Sequence, residues 1–491
     1  MAASEAVPYA KTGGLADVVG ALAIELTKSG NHVTLLMPDY RGQATVESRQ
    51  LVMRLSIPVD GKLAAVTVEE DNVPVTGALH RLRVLFVRYD PYFDRPGLYQ
   101  HDHHDYPDNL ERFILFCRAV LEIVRDLIET REEKVDILHL HDWQTALCAV
   151  YLKTLPHEYK VLERTTVLLT LHNMGYQGIF PGRQFMRMGL PPSLFSPSGI
   201  EFYGSINCLK GGIIFSDAVS TVSPTYAKEI MTAEHGCGLE GVLASRTDGI
   251  KGITNGIDIA AWNPESDPYL SAHYTAADLS GKGACKRALQ REFGLPNHSV
   301  PLLAVIGRLT FQKGFDLLIE VIPELMSLDT QIVVLGTGDH HLEQQFIAIK
   351  AKYPNRIGLC LGFDEGMAHR IEAGSDMLIM PSRYEPCGLS QLYSLRYGTV
   401  PIVRRTGGLA DTIVPFRPST VKSRSATGFH FIDTSTDSLL SVLLLSLHVY
   451  KDRQTWQSLI YTGMKTDLSW DRSAKLYVEF YRELGRGGRE S

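Results

Sequence analysis

The feature that most constrains the fold is an alternation of short apolar segments with segments of helical length, which runs through the chain in two series. The apolar segments fall at residues 33–37, 135–140, 167–171 and 218–222, and then at 302–306, 332–335, 377–380 and 400–403. Continuous apolar runs of this length are typical of parallel strands that helices cover on both faces. A chain of 491 residues is also longer than one hydrophobic core usually supports. We therefore predict an α/β protein with two doubly wound parallel-sheet domains.

The two series are separated by a stretch that is rich in turn-forming residues. Residues 255–258 read Asn-Gly-Ile-Asp, and residues 262–268 include Pro264 and Pro268. Such stretches interrupt the periodicity of strands and helices and are typical of the connection between two domains. We place the boundary after Asp258, which gives an N-terminal domain of residues 1–258 and a C-terminal domain of residues 259–491.

Composition and charge exclude several classes of partner. The chain has 49 Lys and Arg against 55 Asp and Glu, a net charge of −6, so it offers no basic field to nucleic acid or to an anionic membrane. The most apolar stretch, residues 439–447, is shorter than the roughly 20 residues of a membrane span, and the N-terminus lacks the pattern of a secretory signal. The seven cysteines are scattered without a Cys-x-x-Cys pair, which indicates reduced thiols. We expect a cytoplasmic protein.

One six-residue sequence, Thr-Gly-Gly-Leu-Ala-Asp, occurs at residues 12–17 and again at 406–411. In each copy two glycines precede a helix, so that free backbone N–H groups can face an anion, and Lys11 adds a cation to the first copy. The alternative is a coincidence of two helix starts. Neither a Walker-type Gly-Lys-Ser/Thr nor a Gly-x-Gly-x-x-Gly fingerprint follows a strand here. A nucleoside triphosphatase and a dinucleotide-dependent dehydrogenase therefore lose their main support.

Charged residues follow two strands of the second series. Arg308 and Lys313 come after the strand at 302–306, and two cations there can neutralise the charge that grows on a departing diphosphate. Glu385 follows the strand at 377–380, and its carboxylate can accept hydrogen bonds from sugar hydroxyls. The alternatives are solvated surface cations and a carboxylate that the dipole of the next helix favours.

Histidines stand at the ends of two strands of the first series. His139, His141 and Asp142 follow one strand, and His172 follows the next. They are either part of a binding site or hydrogen-bonded core residues. Residues 101–105 read His-Asp-His-His-Asp, but this stretch is polar and flanked by proline, which indicates a solvated loop. We expect no metal site.

Taken together, these segments resemble the family of bacterial glycogen synthases and plant starch synthases, and the resemblance runs nearly from end to end. It is carried by residues 11–18, 106–113, 141–143, 172–173, 202–204, 222–226, 236–239, 255–258, 307–314, 384–389 and 406–411. The resemblance implies the GT-B fold, in which two Rossmann-like domains flank an interdomain cleft. It also implies that the N-terminal domain serves the acceptor glucan and the C-terminal domain the nucleotide-sugar donor. The last helix, at about 470–487, would pack back on the N-terminal domain.

The resemblance further implies roles for individual residues. The catalytic residues would be Glu385, Arg308, Lys313 and His172. The donor-binding residues would be Lys11, Thr12, Gly13, Gly14, Gly336, Thr337, Phe363, Cys387, Gly388, Leu389, Thr406 and Gly407, with Phe363 packing on adenine. Asp142 and Asn255 would lie near the acceptor.

The activity implied by the resemblance is transfer of glucose from ADP-glucose to the 4-hydroxyl at the non-reducing end of an α-1,4-glucan. Configuration would be retained and ADP released, without a covalent nucleophile, a metal ion or a cofactor, since protein cations handle the diphosphate. Two alternatives stay open: a glucosyltransferase of the same fold that uses UDP-glucose, and a catalytically silent glucan-binding protein. Oligomeric state does not follow from the sequence.

One departure from the family's pattern concerns the start of the chain. The family usually has a short apolar strand before its Ala/Ser-Glu-x-x-Pro segment, whereas here Met1 is followed almost directly by Ala3-Ser4-Glu5. We expect the first strand to be missing or clipped and the sheet that aims Lys11 and Gly13 to be weakened, because each buried side chain of such a strand contributes roughly 1.5 to 3 kcal/mol.

Overall fold

The computed structural model describes residues 1–41, 49–102 and 104–487, which form two compact units. Unit 1 contains Met1–Val222, Ala227–Ile253 and the C-terminal segment from Trp470, and unit 2 contains Ser223–Tyr226 and Thr254–Ser469. His103, a member of the histidine-rich run, lies outside the described residues.

The strands up to Ile253 are β1 (Thr34–Pro38), β2 (Gln50–Val59), β3 (Lys62–Val73), β4 (Leu82–Arg88), β5 (Gln100–His101), β6 (His104–Asp105), β7 (Ile137–His141), β8 (Thr166–Leu171), β9 (Ile179–Pro181), β10 (Glu201–Phe202), β11 (Ser205–Asn207), β12 (Ala218–Thr221) and β13 (Lys251–Gly252). The helices of the same region are α1 (Gly14–Lys28), α2 (Asp90–Phe93), α3 (Asn109–Glu129), α4 (Trp143–Thr154), α5 (Cys208–Phe215), α6 (Pro224–Glu229) and α7 (Glu240–Ala244).

The later part of the chain continues the alternation. Its strands are β14 (Leu302–Ile306), β15 (Gln331–Gly336), β16 (Ile357–Leu361), β17 (Met377–Met380), β18 (Val400–Arg404) and β19 (Phe429–Phe431). Its helices are α8 (Ser280–Glu292), α9 (Phe315–Ser327), α10 (His340–Lys352), α11 (Glu365–Gly374), α12 (Ser390–Tyr397), α13 (Gly407–Thr412), α14 (Pro418–Lys422), α15 (Thr436–Lys451), α16 (Arg453–Lys465) and α17 (Trp470–Gly487). Every strand predicted from the apolar runs is present, within about two residues of the predicted ends.

The main sheet of unit 1 is built from two four-stranded parts, β1-β4-β3-β2 and β13-β12-β8-β7. Ala2 joins them, because it forms parallel bridges with Leu36 in β1 and with Leu140 in β7. Its N–H donates to the carbonyl of His139 at 2.8 Å, and its carbonyl accepts from the N–H of His141 at 3.2 Å. The strand that we expected to be missing or clipped is thus represented by the pairing of Ala2 at the centre of the sheet.

One part of this sheet differs from the predicted all-parallel arrangement. β2 pairs antiparallel with β3, and β3 pairs antiparallel with β4. The β2–β3 hairpin turns at Asp60 and Gly61, which both have positive φ angles, 49° and 71°. An Asp-Gly turn of this kind matches the twist of a hairpin, so the sequence carried the signal although the apolar runs did not reveal it.

The C-terminal helix α17 belongs to unit 1. It packs against α1, and the Tyr481 hydroxyl lies 2.7 Å from Nδ1 of His139 in β7. Nearly every residue in the first five turns of α3 is buried as well.

Unit 2 contains a six-stranded parallel sheet in the order β16-β15-β14-β17-β18-β19. Chain order reverses between β14 and β17, and in open α/β sheets ligands bind at the carboxyl ends of the strands beside such a reversal. The division between the units falls at Ile253 and Thr254. Asn255, which the sequence assigns to the N-terminal domain, therefore lies in unit 2, where the next residues are held by the bond from Ile257 N–H to the carbonyl of Leu468 at 2.8 Å.

Among the helices that the structure describes, none combines the length and apolar character that crossing a bilayer requires.

Close packing of α4 against α5 in unit 1 depends on glycine. A Cβ atom on Gly212 of α5 would lie 2.6 Å from the Cβ of Ala146 and 2.8 Å from a methyl group of Leu169. We predict that Gly212→Ala lowers the melting temperature, because overpacking costs about 1–3 kcal/mol and outweighs the gain of about 1 kcal/mol in helix propensity. The matched control is Gly241→Ala in α7, where a Cβ meets nothing within 4 Å. Equal melting temperatures for the two variants would contradict this account.

Candidate functional site

In unit 1 the first glycine-rich segment is held by a buried carboxylate. Glu5 accepts hydrogen bonds from the Thr12 N–H at 2.5 Å and from the Thr12 hydroxyl at 3.0 Å. Tyr99 donates its hydroxyl to the same carboxylate at 3.1 Å. Burial raises the pKa of Glu5. Because α1 begins two residues after Thr12, at Gly14, Glu5 fixes where the start of that helix presents its backbone N–H groups.

The position of Tyr99 depends in turn on a buried arginine. Arg112 is fully buried, and its guanidinium donates to the carbonyls of Tyr92 and Leu98, each at 2.8 Å, and to the side chain of Asn109 at 2.6 Å. These bonds anchor the segment that carries Tyr99. The sequence analysis predicted no role for Glu5 or Tyr99, because their spacing does not show that both side chains meet near Thr12.

Lys11, predicted to contact the donor, forms an ion pair with Asp17 at 2.7 Å. Gly13 caps α1 with extended backbone, and the helix has Asp17 in its first turn. The predicted donor-binding residues Lys11 to Gly14 therefore lie together at one helix start, as the sequence indicated.

Asp142 lies between β7 and α4 in a backbone conformation that is nearly restricted to glycine. Its φ is 57° and its ψ is −173°, and holding a side chain there costs on the order of 1–3 kcal/mol. Its Oδ1 accepts a hydrogen bond from the backbone N–H of His172 at 2.7 Å, which ties the end of β7 to the end of β8. Burial raises the pKa of Asp142 to about 7. Strain and a buried carboxylate at a strand end are both typical of functional sites.

His172 lies beside Asp142 and contacts a second histidine. Its Nε2 is 3.0 Å from Nδ1 of His141, a residue of β7 that is fully buried. Burial lowers the pKa of His172 to about 3. The two predicted residues of unit 1, Asp142 and His172, are therefore brought together, and His141 joins them.

The raised pKa of Asp142 leads to a prediction about stability and pH. The folded protein retains the proton of this carboxyl up to about pH 7, whereas an unfolded aspartate loses it near pH 4. Folding thus becomes less favourable for the wild type as pH rises from about 4 to 7. In Asp142→Asn the side chain is neutral at every pH, so we expect its melting temperature relative to wild type to be higher at pH 8 than at pH 5, by on the order of 5 °C.

The control for this comparison is Asp136→Asn, because the Asp136 side chain is two-thirds exposed. Its melting temperature relative to wild type should not change between the two pH values. If the melting temperature of Asp142→Asn relative to wild type is also the same at pH 5 and pH 8, the Asp142 carboxyl is ionised at both pH values and the prediction is wrong.

In unit 2 the predicted cations and Glu385 lie at the reversal of strand order. Arg308 follows β14, Lys313 ends a short 3₁₀ helix of residues 311–313, and Glu385 follows β17. Lys313 Nζ lies 2.6 Å from Oε2 of Glu385, and both side chains are largely buried. A Cβ on Gly314, whose φ is 68°, would be 2.1 Å from the carbonyl of Pro381. Glycine at this position therefore lets the loops after β14 and β17 approach closely enough for the ion pair to form.

The Glu385 carboxylate has a second partner. The Ser382 hydroxyl donates to Oε2 at 3.0 Å, and the backbone of Ser382 is fixed by a bond from Arg404 Nε to its carbonyl at 2.9 Å. Neither Ser382 nor Arg404 was predicted; the only sequence signal is that a serine stands three residues before the glutamate.

The second glycine pair packs directly on the Glu385 loop. Gly407 has a φ of 42°, and a Cβ there would lie 1.9 Å from the carbonyl oxygen of Glu385. Gly408 N–H donates to that same carbonyl at 3.1 Å. The predicted donor residues Thr406 and Gly407, which follow β18 at the start of α13, are therefore next to the Glu385 loop.

The remaining predicted residues of unit 2 lie along the same edge of the sheet. Cys387 is buried, which raises its pKa to about 12, and its thiol accepts a hydrogen bond from the Asn255 backbone N–H. The side-chain oxygen of Asn255 is buried without a hydrogen-bond partner among the described residues. Asn255 thus lies beside predicted donor-binding residues. Gly388 and Leu389 follow directly, and α12 begins at Ser390.

Gly336 and Thr337 follow β15, where Gly336 contacts the loop after β14: a Cβ on it would lie 2.1 Å from the carbonyl of Gly307. The Thr337 hydroxyl donates to Glu343 at 2.6 Å. Phe363 follows β16 and is 80% exposed, and the neighbouring Gly362 N–H donates to the carbonyl of Gly336 at 3.2 Å. An exposed phenylalanine ring is therefore placed beside the predicted donor loop.

The predicted site residues fall into two groups, each of which the fold assembles within one unit. Within residues 1–41, 49–102 and 104–487, no three His, Cys, Asp or Glu side chains are grouped so that they could hold a metal ion.

Comparisons with known proteins match this chain along its length. Residues 1–245 match the family model described as the starch synthase catalytic domain, and residues 286–458 match the model described as glycosyl transferases group 1.

The chain is 44% identical over 482 residues to a glycogen synthase of Koribacter versatilis, an alignment that covers 98% of this chain and 97% of that protein. It is 40% identical over 496 residues to a glycogen synthase of Thermodesulfovibrio yellowstonii, covering 99% and 97% respectively. Among solved structures, the catalytic domain of starch synthase IV from Arabidopsis thaliana, bound to ADP and acarbose, superposes with a TM-score of 0.88 at 35% identity, covering 99% of this chain and 98% of that one.

Proposed function

The chain belongs to the family of bacterial glycogen synthases and plant starch synthases and is a glucosyltransferase, and from this premise we propose that its donor is ADP-glucose. The predicted family and the predicted GT-B fold are confirmed by the full-length matches. The proposed acceptor is the 4-hydroxyl at the non-reducing end of an α-1,4-glucan, with retention of configuration and release of ADP.

The observation that carries this proposal is the contact between Lys313 and Glu385 at the reversal of strand order in unit 2. A departing diphosphate gains negative charge as the bond to glucose breaks, and a fixed cation stabilises that charge by roughly 3 to 4 kcal/mol. Lys313 is held 2.6 Å from Glu385, and Arg308 follows β14, which lies next to β17 in the sheet. This arrangement supports the proposal that protein cations, and not a metal ion, neutralise the charge of the departing diphosphate.

Glu385 suits a stabilising role. Its Oε2 already accepts hydrogen bonds from Lys313 and Ser382, and a carboxylate held in this way is a poor nucleophile. Its other oxygen is left to accept hydrogen bonds from the hydroxyls of the transferred glucose or to stabilise positive charge on the ring.

The other predicted residues supply hydrogen-bonding groups suited to sugar hydroxyls. Asp142 and His172 lie together at two strand ends of unit 1, and Asn255 has a buried oxygen that accepts from no group of the described chain. A hydroxyl donated to that oxygen would satisfy it. We propose the cytoplasm as the location of the enzyme, because all seven cysteines are free thiols.

The direct test is release of ADP from ADP-glucose in the presence of glycogen, with UDP-glucose as a competing donor. We expect ADP-glucose to be preferred and chains to lengthen by α-1,4 units. Lys313→Met and Glu385→Gln should each lower kcat by about 10²–10³-fold, the usual loss when one transition-state contact is removed. No ADP release with any glucan would refute the proposal and favour a silent glucan-binding protein, whereas preference for UDP-glucose would correct the donor.

The matched control is Lys286→Met. Lys286 forms an equally buried ion pair with Asp376 at 2.5 Å, but Asp376 precedes β17, at the opposite end of the strand from Glu385. This variant should lose stability while its folded fraction retains the wild-type kcat. Loss of turnover in all three variants alike would show that ion pairs in unit 2 act through folding only.

The exposed ring of Phe363 provides a separate test of the nucleotide. Stacking of a base on an aromatic ring is worth about 1–3 kcal/mol, so Phe363→Ala should raise the KM for ADP-glucose by about five- to 150-fold with little change in kcat. The control is Tyr461→Ala in α16, another exposed aromatic residue, at 53% exposure. An unchanged KM in Phe363→Ala would remove this residue from the donor site.

A further inference from the structure

Two buried histidines, His139 and His141, lie behind the half-buried His172 in unit 1, and the proposed function uses only His172. His139 and His141 are both buried in β7, with ring centroids 4.1 Å apart. The His141 Nδ1 lies 3.0 Å from Nε2 of His172. Since a hydrogen bond between two ring nitrogens requires one donor and one acceptor, the protonation of the two rings is coupled.

All three rings are held in the neutral form. Burial lowers the pKa of His139 and of His141 well below the ordinary range and that of His172 to about 3. Each ring therefore carries one N–H and one bare nitrogen at neutral pH, and the contact between His141 and His172 contains a single proton.

His139 has no nitrogen left for His141. Its Nδ1 lies 2.7 Å from the Tyr481 hydroxyl, and its Nε2 lies 2.6 Å from the Thr170 hydroxyl. The Thr170 hydroxyl oxygen also lies 2.7 Å from the hydroxyl oxygen of Ser220. Both ring nitrogens of His139 are satisfied by hydroxyls, which can donate or accept as required.

The remaining nitrogen of His141 decides the direction of the bond to His172. His141 Nε2 is buried and has no hydrogen-bond partner among the described residues. If His172 donated to His141, that Nε2 would carry a buried N–H without an acceptor, and orphaned buried donors are rarer in proteins than under-used acceptors. If His141 donates from Nδ1, its Nε2 is only a bare acceptor. The second arrangement is favoured.

We propose that His141 is a positioning residue that donates its Nδ1–H to Nε2 of His172 and so fixes His172 as the Nδ1–H tautomer. The Nδ1 of His172 has no hydrogen-bond partner within the described chain, so its N–H is available to a hydroxyl oxygen of a bound glucosyl group. This role in binding rests on the proposed function; the tautomer itself does not.

The backbone of both residues is fixed, which allows one hydrogen bond to set the tautomer. His141 N–H donates to the Ala2 carbonyl at 3.2 Å and lies 2.8 Å from the Thr145 hydroxyl. His172 N–H donates to Asp142 at 2.7 Å. These contacts fix the backbone positions from which the two rings extend, and the Nδ1–Nε2 contact of 3.0 Å then sets which ring nitrogens face each other.

The tautomer is tested by neutron crystallography of the deuterated full-length protein without ligand. We expect deuterium on Nδ1 of His141 and on Nδ1 of His172, and none on Nε2 of either ring. Deuterium on Nε2 of His172 would overturn the proposal, whatever the activity of the protein.

Two variants test whether the donor from residue 141 matters. In His141→Asn the side-chain NH₂ takes the place of Nδ1–H and can still donate to His172, whereas in His141→Leu no donor remains. With ADP-glucose and glycogen as substrates, we expect the leucine variant to lose about tenfold in kcat/KM, the usual effect of one lost hydrogen bond. The asparagine variant should retain activity within about threefold of wild type, and its neutron map should keep deuterium on Nδ1 of His172.

The results separate this proposal from the proposed function. Equal losses in both variants, or no loss in either, would overturn the role of the donor, since packing alone would then explain the result. If the protein turns over neither ADP-glucose nor UDP-glucose, the proposed function fails and the neutron map still decides the tautomer. If turnover is normal but deuterium lies on Nε2 of His172, only this further proposal fails.

Discussion

Unit 1 depends on the pairing of one residue, Ala2, with two strands at once. Its backbone bonds to β1 and β7 complete a single sheet from two four-stranded parts. The residues that follow Ala2 and those that follow β7 then leave the same edge of the sheet, since parallel strands share their carboxyl ends. Glu5 and Asp142 are neighbours for this reason, and the charge of Glu5 contributes to the raised pKa of Asp142 after the larger effect of burial.

The same geometric rule operates in unit 2. Between β14 and β17 the order of the strands reverses, so the loops after these two strands lie side by side although about 70 residues separate them. Gly314 and Gly407 then allow backbones to approach at distances that a Cβ would forbid. The Lys313–Glu385 ion pair is the result of these close approaches.

The group of residues in unit 1 holds polar atoms under conditions that oppose stability. Asp142 combines a backbone conformation nearly restricted to glycine with a buried carboxyl, and three histidines are kept neutral by burial. Strain and desolvation of this kind persist only where the surrounding structure over-determines the geometry. In unit 1 that support comes from the bonds of Glu5 to Thr12, of Arg112 to the segment of Tyr99, and of Asp142 to the backbone of His172.

The sequence by itself determined the fold class, the family, the strands of both parallel series and the main residues of both groups. It could do so because apolar periodicity reports burial directly and because Thr-Gly-Gly, Arg308, Lys313 and Glu385 stand at fixed offsets from those strands. The apolar runs did not predict the β2–β3 hairpin, because its strands are partly exposed and do not form continuous apolar runs. The Asp-Gly pair at its turn is the sequence signal that indicates this hairpin.

The tertiary structure alone decided which side chains fix the predicted ones. Tyr99, Arg404 and His141 act through contacts between segments that are distant in sequence, and no local pattern records such contacts. The structure also assigned Asn255 to unit 2, where its backbone bonds to Cys387. The physical reason is general: composition and periodicity show which residues are buried, whereas the partner of a buried polar atom depends on strand order and on where the chain returns.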